Sequence, residues 1–412
     1  MSAICDPASY DQGIPHQLFA PLRATPGVTW IDPSPEHGDH TGFWAVTRMA
    51  DLVTVSRDTA TYSSALKHIQ LYDVDEDVRD VRASMIDLDP PVHTQLRRLV
   101  SSVFTPRHVA RYEHAVAERI RGLLDAVEAD GGGDWVTMVA KPIPIGVICD
   151  ILGVPAADHG LMVEMSDHLV AGTSGEPLDP TAYGNTTPLR ELPFNSPAAY
   201  GIFDYARRAR QRVLDDPGDD LLSALAVAEV DGRRLSEVEY ARFLQLMIFA
   251  GNETTRSAMA HLALHLAEHR PAYDAIANDR IGLELAAEET VRYSSPILYF
   301  RRTATTDTTL AGTPIAAGDK VVMYYCSANF DETVFDEPMR FDLTRQRAPA
   351  NCAYGGGGAH YCLGAPLARL ELAALVGEVV GRGLHLDVAG PVEYVRSNFV
   401  NGIEHLPVQV HR

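Results

Sequence analysis

The chain has 412 residues, 46% hydrophobic and 22% charged, with a formal net charge of −20. This is ordinary globular composition, and the negative field opposes association with nucleic acid or an anionic membrane surface. No run approaches the roughly 18 consecutive apolar residues of a membrane span, and the opening MSAICDPASYDQG has neither the basic nor the apolar region of a secretory signal. The expectation is a soluble, cytoplasmic protein without membrane insertion. No linker, repeat or low-complexity tract divides it, so residues 1–412 are read as one domain.

Along the chain, GFWAVTR near the N-terminus reads as a strand. DLDPPVHTQLRRLVSSVFTPR, Asp87 to Arg107, holds His93 and Arg97 four residues apart, on one helical face. The stretch Ala171 to Pro197 is long and rich in Pro and Gly, and is read as a mobile lid. In FLQLMIFAGNETTRSAM, Phe243, Met247, Gly251, Thr254 and Ala258 fall on one face of a long helix, with Glu253 and Thr254 placing an acid beside an alcohol. EETVR puts Glu289 and Arg292 at i, i+3, a spacing that in isolation means only a surface ion pair. TLAGTPIAAGDKVVMYY, with Gly312 and Gly318 in its turns, reads as hairpin strands.

The most informative stretch is AYGGGGAHYCLGAPLARLEL. Glycine runs cost backbone entropy and persist where something must approach the backbone. The following APLARLELAALVGEVVGRG is a helix, with Pro366 in its first turn, so Cys362 lies just before a helix N-terminus, where a thiolate is favoured. A phosphate loop would need Lys-Ser/Thr after the glycines, and zinc would need more ligands than His360 and Cys362. A single cysteine in a glycine-lined bed fits haem iron held by one thiolate. The other cysteines, Cys5, Cys149, Cys326 and Cys352, form no CxxC and read as buried small residues.

YGGGGAHYCLG resembles the haem-binding segment of the cytochrome P450 family, with Tyr354 where phenylalanine is usual and one extra glycine. Three further motifs occur in the family's order. AGNETT resembles its oxygen-side A-G-x-[DE]-T element, with Glu253 for the commoner aspartate. EETVR and the later DEPMRFD resemble the elements whose Glu289, Arg292 and Arg340 would form a buried structural triad. The resemblance implies a mainly α fold, a triangular helical prism, with a β-rich lobe from about 25–50, 297–326 and 384–412.

It also implies a haem-thiolate monooxygenase that uses O2 and two electrons, with heme b (iron protoporphyrin IX) ligated by Cys362. His93, Arg97, Arg302 and His360 would meet its propionates, with Gly356 and Gly364 in its bed. Thr254 and Glu253 would be the catalytic alcohol and acid of oxygen activation. The electron donor would be a ferredoxin with its reductase, docking on a basic surface of Arg98, Arg107 and Arg369, and the enzyme would be a monomer.

The substrate is expected to be a small, largely apolar molecule of terpenoid, steroid or branched-lipid type, with a polyketide-like compound second. Its pocket would be lined by Phe243, Met247, Ala250, Ile297, Leu298, Tyr299, Phe399 and Val400, with polar contacts from Asn398, Asn401, His68 or Gln70. The alternative is a haem-thiolate protein that couples phenols, or one that binds a ligand or gas without turnover.

Overall fold

The apolar spacing around AGNETT builds the longest helix of the protein, and the rest of the structure is arranged about it. The computed structural model describes residues 2–174, 177–278, 282–343, 345 and 351–412, the side chains of residues 2 and 80–82 aside. The helices that position the site are α1 (Met49–Arg57), α2 (Val92–Ser101), α3 (Glu113–Asp130), α4 (Pro142–Leu152), α5 (His159–Ala171), α6 (Pro197–Asp215), α7 (Glu237–Glu268), α8 (Arg270–Ala277), α9 (Leu283–Ser294) and α10 (Ala365–Gly381).

Helix α7 is 32 residues long and opens on a capping box, in which Ser236 and Glu239 satisfy each other's backbone N–H groups. Twenty-two of its residues are buried, so it is buried all round, as a helix threading a core must be. It packs against α4, α5, α6, α9 and α10. Helix α10 begins at Ala365 with Gly364 as N-cap, two residues beyond Cys362, as its sequence suggests.

Five strands form the main sheet: β1 (Thr29–Ile31), β2 (Phe43–Val46), β3 (Tyr62–Ser63), β5 (Tyr299–Ala304) and β8 (Lys320–Tyr324); β4 (Gly132–Asp134) lies elsewhere. Their order is β1-β2-β8-β5-β3, antiparallel except for the parallel pairing of β8 with β2. The expected hairpin is present as β6 (Thr308–Leu310) and β7 (Thr313–Ile315), turning through Ala311 and Gly312 at φ +49° and +82°. The stretches 25–50 and 297–326 therefore meet in one lobe.

The third expected stretch, 384–412, joins them only in part: Val400 bridges Ile297, and the Leu298 N–H donates to the Phe399 carbonyl at 2.9 Å. Its strands β9 (His385–Val388) and β10 (Pro407–His411) pair with β4 in a separate sheet. β4 follows directly on α3, so this sheet belongs to the helical part.

The stretch 171–197, expected as a lid, lies folded on the core in its described residues. Its described residues form short helical turns at Ala182–Gly184, Leu189–Glu191 and Pro193–Asn195. Asn185 and Leu192 are buried, and Phe194 packs on Phe249 with ring centroids 4.4 Å apart. Asn185 closes its own turn, donating to the Pro180 and Thr187 carbonyls at 2.7 and 2.8 Å. A self-bonded segment with an aromatic anchor is a packed cover over the core.

Candidate active site

Helix α7 and the cysteine loop face each other across a cavity. Met247, Ala250, Gly251, Thr254 and Ala258 line one wall; Gly355, His360, Cys362 and Gly364 line the other, with Ile297, Phe300 and Arg302 at the side. Cys362 is anchored by its own N–H, which donates to the Tyr354 carbonyl at 2.8 Å. Its residue surface is exposed, and that exposure is to the cavity. Burial raises the thiol's pKa, offset in part by the N–H groups of Gly364 and Ala365 and by Arg97 and Arg369. The N–H groups at the helix start act in the expected direction, favouring the thiolate against the cost of burial.

The glycines act differently from the expected bed. Of the glycines from Gly355 to Gly364, only those two line the cavity. A Cβ on Gly356 would meet Leu52 and Ser56 side-chain carbons at 2.9 Å, and one on Gly358 would meet the Ser56 carbonyl at 2.6 Å. The glycine run lets the loop lie on helix α1, and Gly356 faces that helix, not the cavity.

At the cavity edge the His93 and His360 rings touch in a tilted arrangement, with centroids 4.2 Å and planes 40° apart. Arg302 is 2% exposed and Arg97 is half-buried, with its Nη2 donating to the Tyr361 carbonyl at 2.7 Å. Burial lowers the pKa of His93 to about 4 and that of His360 to about 2. His93 Nδ1, His360 Nδ1 and Arg302 Nε are buried without hydrogen-bond partners. Unpaired buried donors around two arginines call for an anionic acceptor. A flat group with acidic substituents, bound through Cys362, satisfies them: the residues fit haem.

Two features of α7 fall on different sides of the helix. Thr254 lines the cavity, and its Oγ1 donates to the Ala250 carbonyl at 3.0 Å. Glu253 does not line it; the residue is fully buried against α5, accepting from Ser166 Oγ at 3.0 Å and Asn252 Nδ2 at 3.1 Å and pairing with Arg256. Arg256 donates to Asp167 at 2.6 Å, and Lys141 reaches Asp167 at 2.8 Å. Burial raises the Glu253 pKa to about 7, against the pull of Arg256.

The structural triad is also reassigned. Glu289 and Arg292 form the expected buried pair, at 2.7 Å through both guanidinium contacts. The Arg340 side chain is 62% exposed and pairs with Glu337 at 3.2 Å; only its carbonyl accepts from Arg292, at 3.3 Å. Arg345 takes the third place, with Nε 3.4 Å from Glu289 and 12% side-chain exposure. Glu337 at φ +44° turns the chain just before Arg340.

A neck lined by Phe194, Gln245, Leu246, Phe249, Ala250, Ile297, Phe300 and Phe399 continues from the cavity. A further chamber shares the lining residues Gln70 and Phe399 with it and includes Tyr299 and Asn398. Met247, Ala250, Ile297, Tyr299 and Phe399 therefore line these spaces, whereas Phe243, Leu298 and Val400 line none of them. Val400 is spent in a bridge to Ile297, and Asn401 donates to the Ser294 carbonyl. His68 and Gln70 do reach the neck. Sequence spacing missed Leu246, Phe249 and Phe300, although Leu246 and Phe249 stand at i+3 and i+6 from Phe243.

Comparison with known proteins agrees with this geometry. The Cytochrome P450 family model matches residues 283–382. The steroid C26-monooxygenase of Mycobacterium tuberculosis is 34% identical over 98% of this chain and 91% of its own. The chain belongs to the cytochrome P450 family. The methyl-branched lipid omega-hydroxylase of the same organism is 40% identical over 89% of this chain and 84% of its own. A Mycobacterium marinum cytochrome P450 solved in complex with pseudoionone is 38% identical, with a TM-score of 0.85 over 96% of this chain and 94% of that one. This P450 is a haem-dependent monooxygenase, an oxidoreductase. Among the described residues no helix is long and apolar enough to cross a membrane.

Proposed function

We propose that this P450 hydroxylates an elongated, largely apolar molecule (a terpenoid, a steroid or a methyl-branched lipid) near its chain end. The observation that carries the reading is the aromatic-lined neck, which shares lining residues with both the Thr254–Cys362 cavity and a further chamber with polar residues. An apolar body gains roughly 25 cal/mol per Å² buried in such a neck. A polar end can remain among Gln70, Tyr299 and Asn398. Two relatives act, by their names, on a steroid C26 position and on the omega position of a methyl-branched lipid, which supports both class and position.

The cofactor in this reading is heme b, bound through Cys362, with its propionates on His93, Arg97, Arg302 and His360. When bound there, haem would supply O2 activation with two electrons, with the Cys362 thiolate as its ligand. The chain's own residues do the rest. Thr254 Oγ1 faces the cavity and holds a hydrogen bond there, while Glu253, with Ser166, Arg256 and Asp167 behind it, connects the helix to solvent for protons. Electrons arrive from a ferredoxin and its reductase. Titrating the holoenzyme with sterols, methyl-branched and linear fatty acids, terpenoids and macrolides tests the substrate class. High-spin shifts are expected with the first groups, and shifts seen only with polar aromatic or peptidic compounds would overturn it.

A further inference from the structure

Helix α7 carries histidines at 261 and 265, and His269 follows at its C-cap, so three imidazoles lie along one face. Successive ring centroids are 5.7 and 6.0 Å apart. His261 is accounted for, since its Nε2 meets the Asn401 carbonyl at 3.2 Å. His265 is not. Its ring is wedged between Tyr293 and Phe341, at centroid distances of 4.8 and 4.9 Å. It is 8% exposed, yet neither Nδ1 nor Nε2 has a hydrogen-bond partner. Aromatic packing explains the ring but leaves its nitrogens unexplained.

The Glu268 carboxylate faces this ring, its Oε2 3.7 Å from His265 Nδ1. That is too long for a hydrogen bond. It is close to the separation of about 3.3 Å between two ligands that each bond a tetrahedral ion at about 2.0–2.1 Å. His269 completes the set: one ligand atom from each of His265, Glu268 and His269 lies within 4.8 Å of the others.

Glu268 is exposed and His269 half-buried, so an ion can enter from solvent with His265 as the floor. The site also lies at a helix C-terminus, where the dipole favours a cation. Two imidazoles and a carboxylate suit zinc and its first-row neighbours; calcium and magnesium prefer oxygen sets.

The geometry points to a divalent transition-metal site formed by His265, Glu268 and His269, separate from the haem and occupied by zinc. Eleven residues of helix place His265 about 16 Å along the axis from Thr254, so the ion takes no part in oxidation. It fastens the end of α7 to the first turn of α8, for which His269 is the N-cap. Water fills the open coordination position.

The test uses the haem-loaded protein, dialysed against chelator and equilibrated with zinc chloride, with zinc per haem read by elemental analysis. One firmly held zinc per chain is expected, and its binding should raise the melting temperature by mass action. Glu268→Gln with His269→Asn should weaken binding by on the order of a hundredfold and abolish the melting shift. Both side chains reach solvent, and an unchanged Soret band certifies the fold; if the double variant loses haem, His269→Asn alone is the reading.

The paired His385→Asn, His411→Asn variant controls for adventitious binding, because those rings also lie close, 5.5 Å apart. It should bind zinc as the wild type does. No zinc uptake by the wild type at about a hundred times the micromolar range, or equal uptake by the Glu268/His269 variant, overturns the site.

Discussion

Glu253 and Thr254 are adjacent in sequence but serve different sides of α7: Thr254 lines the cavity, while Glu253 is fully buried against α5 and paired with Arg256. The acid can influence the cavity only through its protonation and the groups behind it. Burial places its pKa near 7, above the usual carboxylate range, so it is protonated below neutrality and ionised above. A proton-delivering role therefore predicts that product formed per NAD(P)H falls as pH rises through about 7. Glu253→Gln should flatten that pH dependence, and Thr254→Ala should divert electrons to hydrogen peroxide at every pH while haem binding persists. An unchanged product yield in Thr254→Ala would remove Thr254 from the mechanism.

The ligand assignment has a spectroscopic consequence. Cys362→His should abolish the red-shifted Soret band of the reduced carbonyl complex, because that band requires thiolate ligation. Cys352→Ser should leave it intact. Cys352 is buried away from the cavity, donating to Asn329 Oδ1 at 3.2 Å, and a serine hydroxyl can make the same bond.

Contact with Glu289 separates Arg345 from Arg340, the arginine named by the motif. Glu289→Ala leaves Arg292 buried and unpaired, which costs about 3–5 kcal/mol. Arg345→Ala removes the contact to Glu289 together with hydrogen bonds to the Asp336, Glu337 and Arg340 carbonyls and should cost about 1–3 kcal/mol, whereas Arg340→Ala should stay within about 0.5 kcal/mol. Denaturant melts of the three holoenzymes check the order. An Arg340→Ala cost equal to that of Arg345→Ala would restore the motif-based triad.

These cases show which parts were legible in the sequence. Cofactor chemistry restricts residue types, so Cys362, His93, Arg97, Arg302 and His360 could be picked out from motifs hundreds of residues apart, and the structure brings them to one cavity. Helical spacing likewise gave Met247, Gly251 and Thr254 a common face. What failed depended on long-range packing. Gly356 is small because helix α1 lies on it, and nothing near the glycine run announces that partner. Arg340 fits its motif, yet the backbone turn at Glu337 sends it to solvent and brings in Arg345. The resemblance implied a β-rich lobe that included 384–412, but the strand that joins β9 and β10 in their sheet, Gly132–Asp134, is too glycine-rich to show a strand pattern.

Tyr354 offers a further test, standing where the family motif has phenylalanine. Its hydroxyl is buried without a partner, and the Arg369 guanidinium lies 4.4 Å from its ring centroid. Removing an unpaired buried hydroxyl while keeping the ring relieves a desolvation cost of about 1–3 kcal/mol. Tyr354→Phe should therefore melt no lower than the wild type and retain the carbonyl band. A clear loss of stability would mean that the hydroxyl has an acceptor in the haem-loaded protein.

Arg369 also divides the expected electron-donor surface. Arg98 and Arg107 are exposed, as docking of the proposed ferredoxin requires. Arg369 is half-buried, paired with Glu288 and stacked on Tyr354. Charge at the first two positions should act across solvent, screened within about 8 Å at physiological salt. Arg98→Glu with Arg107→Glu should raise the KM for ferredoxin and weaken its salt dependence, leaving the haem spectrum unchanged. Arg369→Glu sets two carboxylates together beneath the cysteine loop, so it should disturb the carbonyl band and lower stability before any effect on docking can be read. Equal, purely kinetic effects of all three reversals would return Arg369 to the docking surface. Salt-independent reduction in the wild type would remove the surface altogether.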